Sequence, residues 1–242
     1  MVKEEYYQLR EIFSPLKPLI FSHIYIEGDT SIIKQPGIIV ANHPGWKDVY
    51  LLGMIIKQKI TFIADSAIFY EESLKHKMNE VLFKKRGMSK LEKTLREALI
   101  SVMSKIIPKI VEKSGAIKLG ENYKTTYRKA REIIENKGLL CIFPERRGEK
   151  KEGEAIKRFQ PGIGMFIYDL YQKAIKHTIY PLAIWYEKGV SYLFRDKAYI
   201  RILSPIKPEN LIEKYGNNSN KRKSILDITK RLEEIIKENI KK

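Results

Sequence analysis

Short apolar segments of the kind that form buried strands alternate along this chain with longer segments of helical pattern, and this alternation restricts the fold more than any other feature. The strand candidates GIIVA, KITFIA, LLCIFP and TIYPLAIWY are rich in β-branched and aromatic residues, and in the segments between them apolar residues recur three and four apart. Continuous apolar strands are buried on both faces, as in parallel sheets covered by helices. The sequence therefore predicts an α/β fold with a central, mostly parallel sheet and helices on both of its faces.

The pattern fits a single domain, residues 1–242, because no linker long enough to separate two domains interrupts it. Three helical segments flank or interrupt the strands. Residues 1–22 form an amphipathic N-terminal segment, and residues 224–242 form an amphipathic C-terminal helix. Residues 71–98 are predicted to be a basic helical insertion, with eight Lys and Arg against five acidic residues. Residues 213–224, which precede the C-terminal helix, are predicted to be a loop.

The chain is strongly basic, with 46 Lys and Arg against 29 Asp and Glu and a net charge of +17. Such a surface attracts polyanions: nucleic acid, anionic lipid headgroups, or an acidic carrier protein or cofactor. No apolar run approaches the roughly 20 residues that a membrane span needs, and no signal peptide is visible, so we expect an intracellular protein that is soluble or peripheral. The single cysteine, Cys141, excludes an internal disulfide and a cysteine-based zinc cluster, and its apolar neighbours favour a buried thiol.

A histidine and an aspartate five residues apart lie where one predicted strand leads into a helix, in the stretch VANHPGWKDVYLL. Such junctions, at the carboxyl ends of strands, hold the functional groups of α/β sheets. His43 and Asp48 can meet only if His43 lies in a turn bent by Pro44 and Gly45 and Asp48 lies in the first helical turn. Asp48 would then fix the imidazole tautomer and leave the other nitrogen to accept a proton from an alcohol. A capping aspartate beside a surface histidine is the alternative interpretation.

Four blocks of the sequence, in the right order, resemble the glycerolipid acyltransferase superfamily, whose members include 1-acylglycerol-3-phosphate acyltransferases. The run NHPGWKD at 42–48 is similar to the first signature of that family, N-H-x-x-x-x-D, and FPE at 143–145 is similar to the start of its third. The runs RFQPG at 158–162 and YPLAI at 180–184 are similar to two later blocks. The resemblance covers most of the chain and implies the same α/β fold.

The resemblance implies transfer of an acyl chain from an acyl thioester, either acyl-CoA or acyl-carrier protein, to a hydroxyl of a lysophospholipid or related glycerolipid. His43 would be the general base and Asp48 its orienting partner, with no covalent enzyme intermediate, no metal and no cofactor. Backbone N–H groups at the start of the helix after Pro44 would stabilise the oxyanion. The implied substrate-binding residues are Asn42, Lys118, Glu145, Arg146, Arg147 and Pro181.

Two departures from the family pattern concern a phosphate on the acceptor. The second signature normally ends in an arginine, where this chain has Glu121. In the third block Arg146-Arg147-Gly148 replaces the family's Gly-Thr-Arg, so an arginine is present but displaced by one position. A guanidinium binds phosphate well only when its fork is well placed, so these shifts matter. Either other basic residues, among them Lys118 and Lys124, take over this role, or the acceptor carries no phosphate.

Other functions stay open at this point. The irregular blocks allow a non-catalytic or divergent relative that binds anionic lipid, although binding alone has no use for an oriented base. The positive charge suggests nucleic acid, but no nucleic-acid motif accompanies it. An acyltransferase without a membrane span has to reach lipid from the surface, so an anionic membrane, at its cytoplasmic face, is the expected partner. The 71–98 segment is either a packed hairpin or an interfacial element that carries Phe83 and Met88.

Overall fold

The computed structural model describes residues 2–82, 90–120, 122–146, 156–188, 195–215 and 220–240. The strands are β1 (Phe21–Glu27), β2 (Gly37–Ala41), β3 (Ile60–Asp65), β4 (Ile117–Leu119), β5 (Leu139–Ile142), β6 (Thr178–Tyr186) and β7 (Asp196–Ile202). The helices are α1 (Val2–Phe13), α2 (Lys17–Ile20), α3 (Lys47–Ile55), α4 (Glu71–Leu82), α5 (Lys90–Lys113), α6 (Tyr123–Glu135), α7 (Gly162–Gln172), α8 (Pro208–Tyr215) and α9 (Lys221–Glu238).

Within these residues the strands form one sheet in the order β1-β7-β6-β2-β5-β3-β4. Neighbouring strands are parallel except for β6 and β7, which pair antiparallel. Strand β2 lies between β5 and β6, although both follow it by well over ninety residues in the chain. The predicted α/β fold with a mostly parallel sheet is confirmed.

Strand β2 is buried on both faces, which explains its uninterrupted apolar sequence. Ile39 and Ala41 belong to one core, which also contains Leu51 and Leu52 of α3. The alternate residues Ile38 and Val40 belong to the opposite core, which is covered by α6, α7, α8 and α9. Since successive side chains of a strand point to opposite faces, only a strand between two helical layers needs every residue apolar.

The helical segment between β3 and β4 is formed by α4 and α5, which share a small core of their own. Leu74 and Met78 of α4 pack with Ile100 of α5 in this core. Helix α5 continues to Lys113, so Ala98 marks neither the end of the helix nor the end of the segment, because apolar residues beyond position 98 continue the packing. The predicted interfacial residues Phe83 and Met88 lie outside the described residues.

The predicted loop at 213–224, before the C-terminal helix, is wrong at both of its ends. Helix α8 runs to Tyr215 and is held by its buried residues Leu211 and Ile212. Helix α9 begins at Lys221, because the side chain of Asn220 accepts hydrogen bonds from two backbone N–H groups of its first turn. The predicted helix at 224–242 is therefore present but starts three residues earlier, and it ends at Glu238 within the described part of the chain.

The N-terminal segment is fixed to the sheet through α3. The guanidinium of Arg10 donates hydrogen bonds to the carbonyl oxygens of Met54 at 2.8 Å and Ile56 at 3.2 Å, at the carboxyl end of α3. The hydroxyl of Tyr50 donates to the carbonyl oxygen of Phe13 at 2.7 Å. These bonds connect α1 to the same helix that begins beside His43. Among the described helices, none has the length and hydropathy that crossing a membrane requires.

Gly164 allows α7 to pack directly against α9. A Cβ atom at this position would lie 2.3 Å from the carbonyl oxygen of Ile225 and 2.4 Å from Oγ1 of Thr229. Since a backbone carbonyl cannot move aside alone, we expect Gly164→Ala to lower the free energy of unfolding by roughly 1–3 kcal/mol, measured by urea denaturation. Gly162→Ala is the matched control, because a Cβ there has no neighbouring atom within 4 Å. Equal stabilities of the two variants would contradict this packing.

Candidate active site

His43 and Asp48 lie at the carboxyl end of β2, where the chain turns into α3. His43 is in the turn after Ala41, and Asp48 is the second residue of α3. The imidazole Nδ1 lies 2.8 Å from Oδ2 of Asp48. The His43 side chain is 42% exposed, whereas that of Asp48 is fully buried. The sequence pattern predicts this placement of the two residues, and it leaves Nε2 on the exposed part of the ring.

The carboxylate of Asp48 is surrounded by hydrogen-bond donors. Its Oδ2 also accepts from the backbone N–H of Gly45 at 2.8 Å, and its Oδ1 accepts from the hydroxyl of Tyr186 at 2.5 Å. Burial and the negative charge of Asp48 raise the pKa of Tyr186 far above its ordinary value, so this hydroxyl stays protonated and donates. Because Asp48 acts as a hydrogen-bond acceptor in all three contacts, it favours the imidazole tautomer that carries its proton on Nδ1. In that tautomer Nε2 carries no proton and can take one up.

A buried ion pair lies next to this carboxylate. Nζ of Lys47 is 2.7 Å from Oδ2 of Asp196 on β7, and both side chains are fully buried. The same ammonium lies 4.2 Å from the centroid of the Tyr186 ring. Sequence reasoning missed this pair, as it missed Tyr186, because a lysine within the first signature and an aspartate at a strand end carry no local signal of contact.

Glu145, which follows β5, contacts the main chain of the predicted base. Its Oε1 accepts a hydrogen bond from the backbone N–H of His43 at 3.0 Å. Its Oε2 is buried and has no hydrogen-bond partner among the described residues. Glu145 is therefore adjacent to the predicted base and has one carboxylate oxygen left for a further donor.

Aromatic rings form one side of the site. The ring of Phe143 stacks on the imidazole of His43 with centroids 4.4 Å apart, and the ring of Phe62 lies 6.3 Å beyond it. These rings exclude water from one face of the imidazole. Phe143 is part of the FPE block, but its contact with His43 could not be read from the sequence. Cys141 is buried behind the site, and burial raises the pKa of its thiol, in agreement with the predicted inert role.

Two predicted substrate-binding residues have a different position from the one expected. The side chain of Asn42 is buried and is fully used by Ile184 of β6, donating to its carbonyl oxygen at 2.7 Å and accepting from its N–H at 2.8 Å. Pro181 is buried within β6, opposite Val40. It lies on the same face of the sheet as Ile179 and Ala183, which is the far face from Phe143. Neither side chain is available to a substrate, because one extends the β2–β6 pairing and the other packs in the sheet.

The backbone N–H groups after Pro44 that were predicted to stabilise the oxyanion include that of Gly45, which already donates within the site. The N–H of His43 donates to Glu145, and the N–H of Gly45 donates to Asp48. These two backbone donors after β2 therefore hold the base and its partner in place. They are not available to an oxyanion.

The basic residues predicted to bind the acceptor lie in different parts of the structure. Lys118 lies on β4, where its ammonium contacts the hydroxyl of Tyr70 and lies 4.1 Å from the centroid of that ring. Arg146 is exposed just after Glu145, and its backbone N–H donates to the carbonyl oxygen of Arg158. Arg147 lies outside the described residues, as does Glu121. Within the described ranges, no three His, Cys, Asp or Glu side chains converge where they could share a metal ion.

Comparisons with known proteins give the family and the fold of this chain. The profile of the acyltransferase family matches residues 23–185. Among solved structures, the chain is similar to the 1-acyl-sn-glycerophosphate acyltransferase PlsC of Thermotoga maritima, with a TM-score of 0.56 and 17% sequence identity over 98% of this chain and 77% of that one. No curated protein matches the sequence.

The family match covers most of the chain and contains His43, Asp48 and Glu145. The structural similarity independently gives the fold. The predicted resemblance to the glycerolipid acyltransferase superfamily is thereby confirmed, and the chain belongs to the acyltransferase family.

Proposed function

We propose that this acyltransferase moves an acyl chain from an acyl thioester, acyl-CoA or acyl-carrier protein, to a hydroxyl of a lysophospholipid or related glycerolipid. The observation that carries the proposal is the hydrogen bond between the buried Asp48 and Nδ1 of His43, whose side chain is itself 42% exposed at the carboxyl edge of the sheet. The glycerolipid acceptor is further supported by the similarity to PlsC, whose own substrate is a 1-acyl-sn-glycerophosphate.

In the proposed reaction, Nε2 of His43 takes the proton of the acceptor hydroxyl while its oxygen attacks the thioester carbonyl carbon. The C–S bond of the resulting tetrahedral intermediate breaks, and the thiolate leaves with the proton that the imidazolium returns. Asp48 orients the imidazole and stabilises its positive charge while the proton is held there. The acyl group passes directly to the acceptor, so no covalent enzyme intermediate forms. General-base catalysis of this kind is typically worth about 10²–10⁴-fold.

The acceptor's headgroup fits between His43 and Lys118. Three strand spacings separate β2 from β4 in the order β2-β5-β3-β4, which is about 14 Å at the usual spacing of strands. A glycerol phosphate and an extended lysine side chain together bridge such a distance. In this proposal Lys118 and Arg146, and Arg147 after it, supply positive charge for a phosphate, and Glu145 binds near the acceptor's hydroxyls.

The proposal places the protein at the cytoplasmic face of an anionic membrane, where lysolipids reside. Three apolar side chains of the N-terminal segment are largely exposed: Ile12 at 66%, Leu16 at 40% and Leu19 at 49%. Lys17 is exposed among them. Arg10 connects this segment to the carboxyl end of α3, and Phe13 connects it to Tyr50 in the first half of that helix. Insertion of the apolar side chains between headgroups therefore brings α3, which begins beside His43, close to the membrane.

The base assignment is tested by His43→Ala. We expect acyl transfer, measured with purified protein and a radiolabelled acyl thioester, to fall at least about a thousandfold, because the proton acceptor is lost. Asp48→Asn should lower it nearly as much, since an amide favours the wrong imidazole tautomer. The thermal midpoint of His43→Ala should change little, because His43 is 42% exposed. His23→Ala, at an exposed histidine of β1, is the control, and a His43→Ala variant as active as this control would refute the assignment.

The acceptor's phosphate is tested by Lys118→Ala. We expect the acceptor's KM to rise roughly ten- to a hundredfold with a phosphate-bearing lysolipid and to change little with a neutral monoacylglycerol, because a hydrogen bond from a charged group is worth about 1.5–3 kcal/mol. The donor's KM should stay the same. Lys129→Ala, at an exposed lysine of α6 to which no role in binding the acceptor is assigned, serves as the matched control. If Lys118→Ala affects phosphorylated and neutral acceptors alike, the natural acceptor carries no phosphate.

Membrane contact is tested by replacing Ile12, Leu16 and Leu19 with serine together. We expect weaker flotation with anionic vesicles and lower activity on bilayer substrate, while activity on a short, water-soluble acceptor is retained. Binding of the parent protein should weaken steeply as salt rises and be slight on neutral vesicles. Leu226→Ser, at an exposed apolar residue of α9, is the control. Undiminished flotation of the triple variant would assign the membrane face to another surface.

A further inference from the structure

The carboxylate of Asp48 depends on a side chain that lies far from it in sequence. Its Oδ2 has two donors from the adjacent turn, the imidazole Nδ1 of His43 and the backbone N–H of Gly45. Its Oδ1 accepts a hydrogen bond from the hydroxyl of Tyr186, at the end of β6. Asp48 is fully buried, so no water molecule from bulk solvent replaces that donor readily.

The ring of Tyr186 is in turn held by charge and packing. The ammonium of Lys47 lies 4.2 Å from its centroid and is fixed there by the 2.7 Å ion pair with Asp196. The ring of Phe21 stacks on it with centroids 6.3 Å apart and an interplanar angle of 4°. Oδ1 of Asp196 accepts from the backbone N–H groups of Lys188 and Lys197, so this carboxylate is itself fixed to the main chain.

From this geometry we infer that Tyr186 is a positioning residue for the base: its hydroxyl fixes the Asp48 carboxylate that orients His43, and the buried Lys47–Asp196 pair holds the Tyr186 ring. The inference rests on the proposed function of His43. It adds that side chains of β6 and β7 hold the base in place, although both strands lie far in sequence from the signature that contains His43 and Asp48.

The direction of the effect follows from the charges around Asp48. His43 and Tyr186 contact Asp48 directly, and the charge of Asp48 also acts on Cys141 of β5. Glu145 contacts the backbone of His43, Lys47 lies over the Tyr186 ring, and Asp196 of β7 pairs with Lys47. If the Tyr186 hydroxyl is removed, the carboxylate keeps its buried position with one donor fewer. Its negative charge is then less stabilised, and the His43–Asp48 pair binds a proton more tightly.

Tyr186→Phe tests this inference, because the ring and its contacts with Lys47 and Phe21 remain. We expect kcat to fall roughly ten- to a hundredfold, as for the loss of one hydrogen bond to a buried charge, with the KM of both substrates unchanged. The acid limb of the pH–rate profile should move to higher pH by about one unit. The same shift should appear in the NMR titration of the His43 ring, assigned by its absence in a His43→Gln variant.

The control is Tyr180→Phe, which removes another buried tyrosine hydroxyl from the same strand. That hydroxyl accepts a hydrogen bond from the backbone N–H of Lys34 and lies away from Asp48. Tyr180→Phe should lower the free energy of unfolding to a similar extent while leaving kcat and the His43 titration as in the parent. If Tyr186→Phe behaves in the same way, the Tyr186 hydroxyl is merely structural and the inference is wrong.

A double-mutant cycle with Asp48→Asn identifies the route of the effect. Since Tyr186 acts through the Asp48 carboxylate, Tyr186→Phe should shift the His43 titration in the parent but not in the Asp48→Asn background. An equal shift in both backgrounds would overturn the inference. The NMR titration needs no turnover, so it separates the two proposals: a protein that transfers no acyl group refutes the proposed function, whereas the cycle still tests Tyr186.

Discussion

The burial of the Asp48 carboxylate is the constraint on which the rest of the site depends. A carboxylate taken out of water is costly unless hydrogen-bond donors surround it, and here they come from the turn after β2 and from β6. Those donors meet only if β2 and β6 pair in the observed register. The chemistry at the sheet edge and the correct pairing of strands are thus coupled, because a slipped strand would leave a buried charge without its partners.

The side chain of Asn42 helps to fix the register between β2 and β6. Strand β2 ends at Ala41, and the side-chain amide of Asn42 continues the pairing by donating to and accepting from Ile184. The next residue is His43, whose backbone N–H is held by Glu145 from the neighbouring β5. The base is therefore fixed between two strands through main-chain contacts. This leaves its ring free to be oriented by Asp48 and packed against Phe143.

The groups around the base fall into two sets, one buried and one exposed to solvent. Those that hold the imidazole, namely Asp48, Tyr186, Lys47 and Asp196, are buried. Those that the proposed function assigns to the acceptor and the membrane, such as Arg146 and the apolar side chains of the N-terminal segment, are exposed. A rigid interior beside an open surface suits catalysis on a lipid, because the base has to be pre-organised while its substrate arrives from a second phase.

The sequence by itself determined the fold class and the local geometry of the base. Apolar runs reveal doubly buried strands, and the bend at Pro44-Gly45 limits how His43 and Asp48 can meet, because these are properties of adjacent residues. Local pattern missed α8, where packing of Leu211 and Ile212 against other elements decides. Only the tertiary structure decided that Tyr186 and Asp196 complete the site. It also decided that Glu145, already implied by the family resemblance, contacts the backbone of His43. These groups meet because the sheet order places β5 and β6 beside β2, with β7 next to β6. No short-range pattern encodes which distant strand becomes a neighbour, since that choice is made by burial summed over the whole sheet.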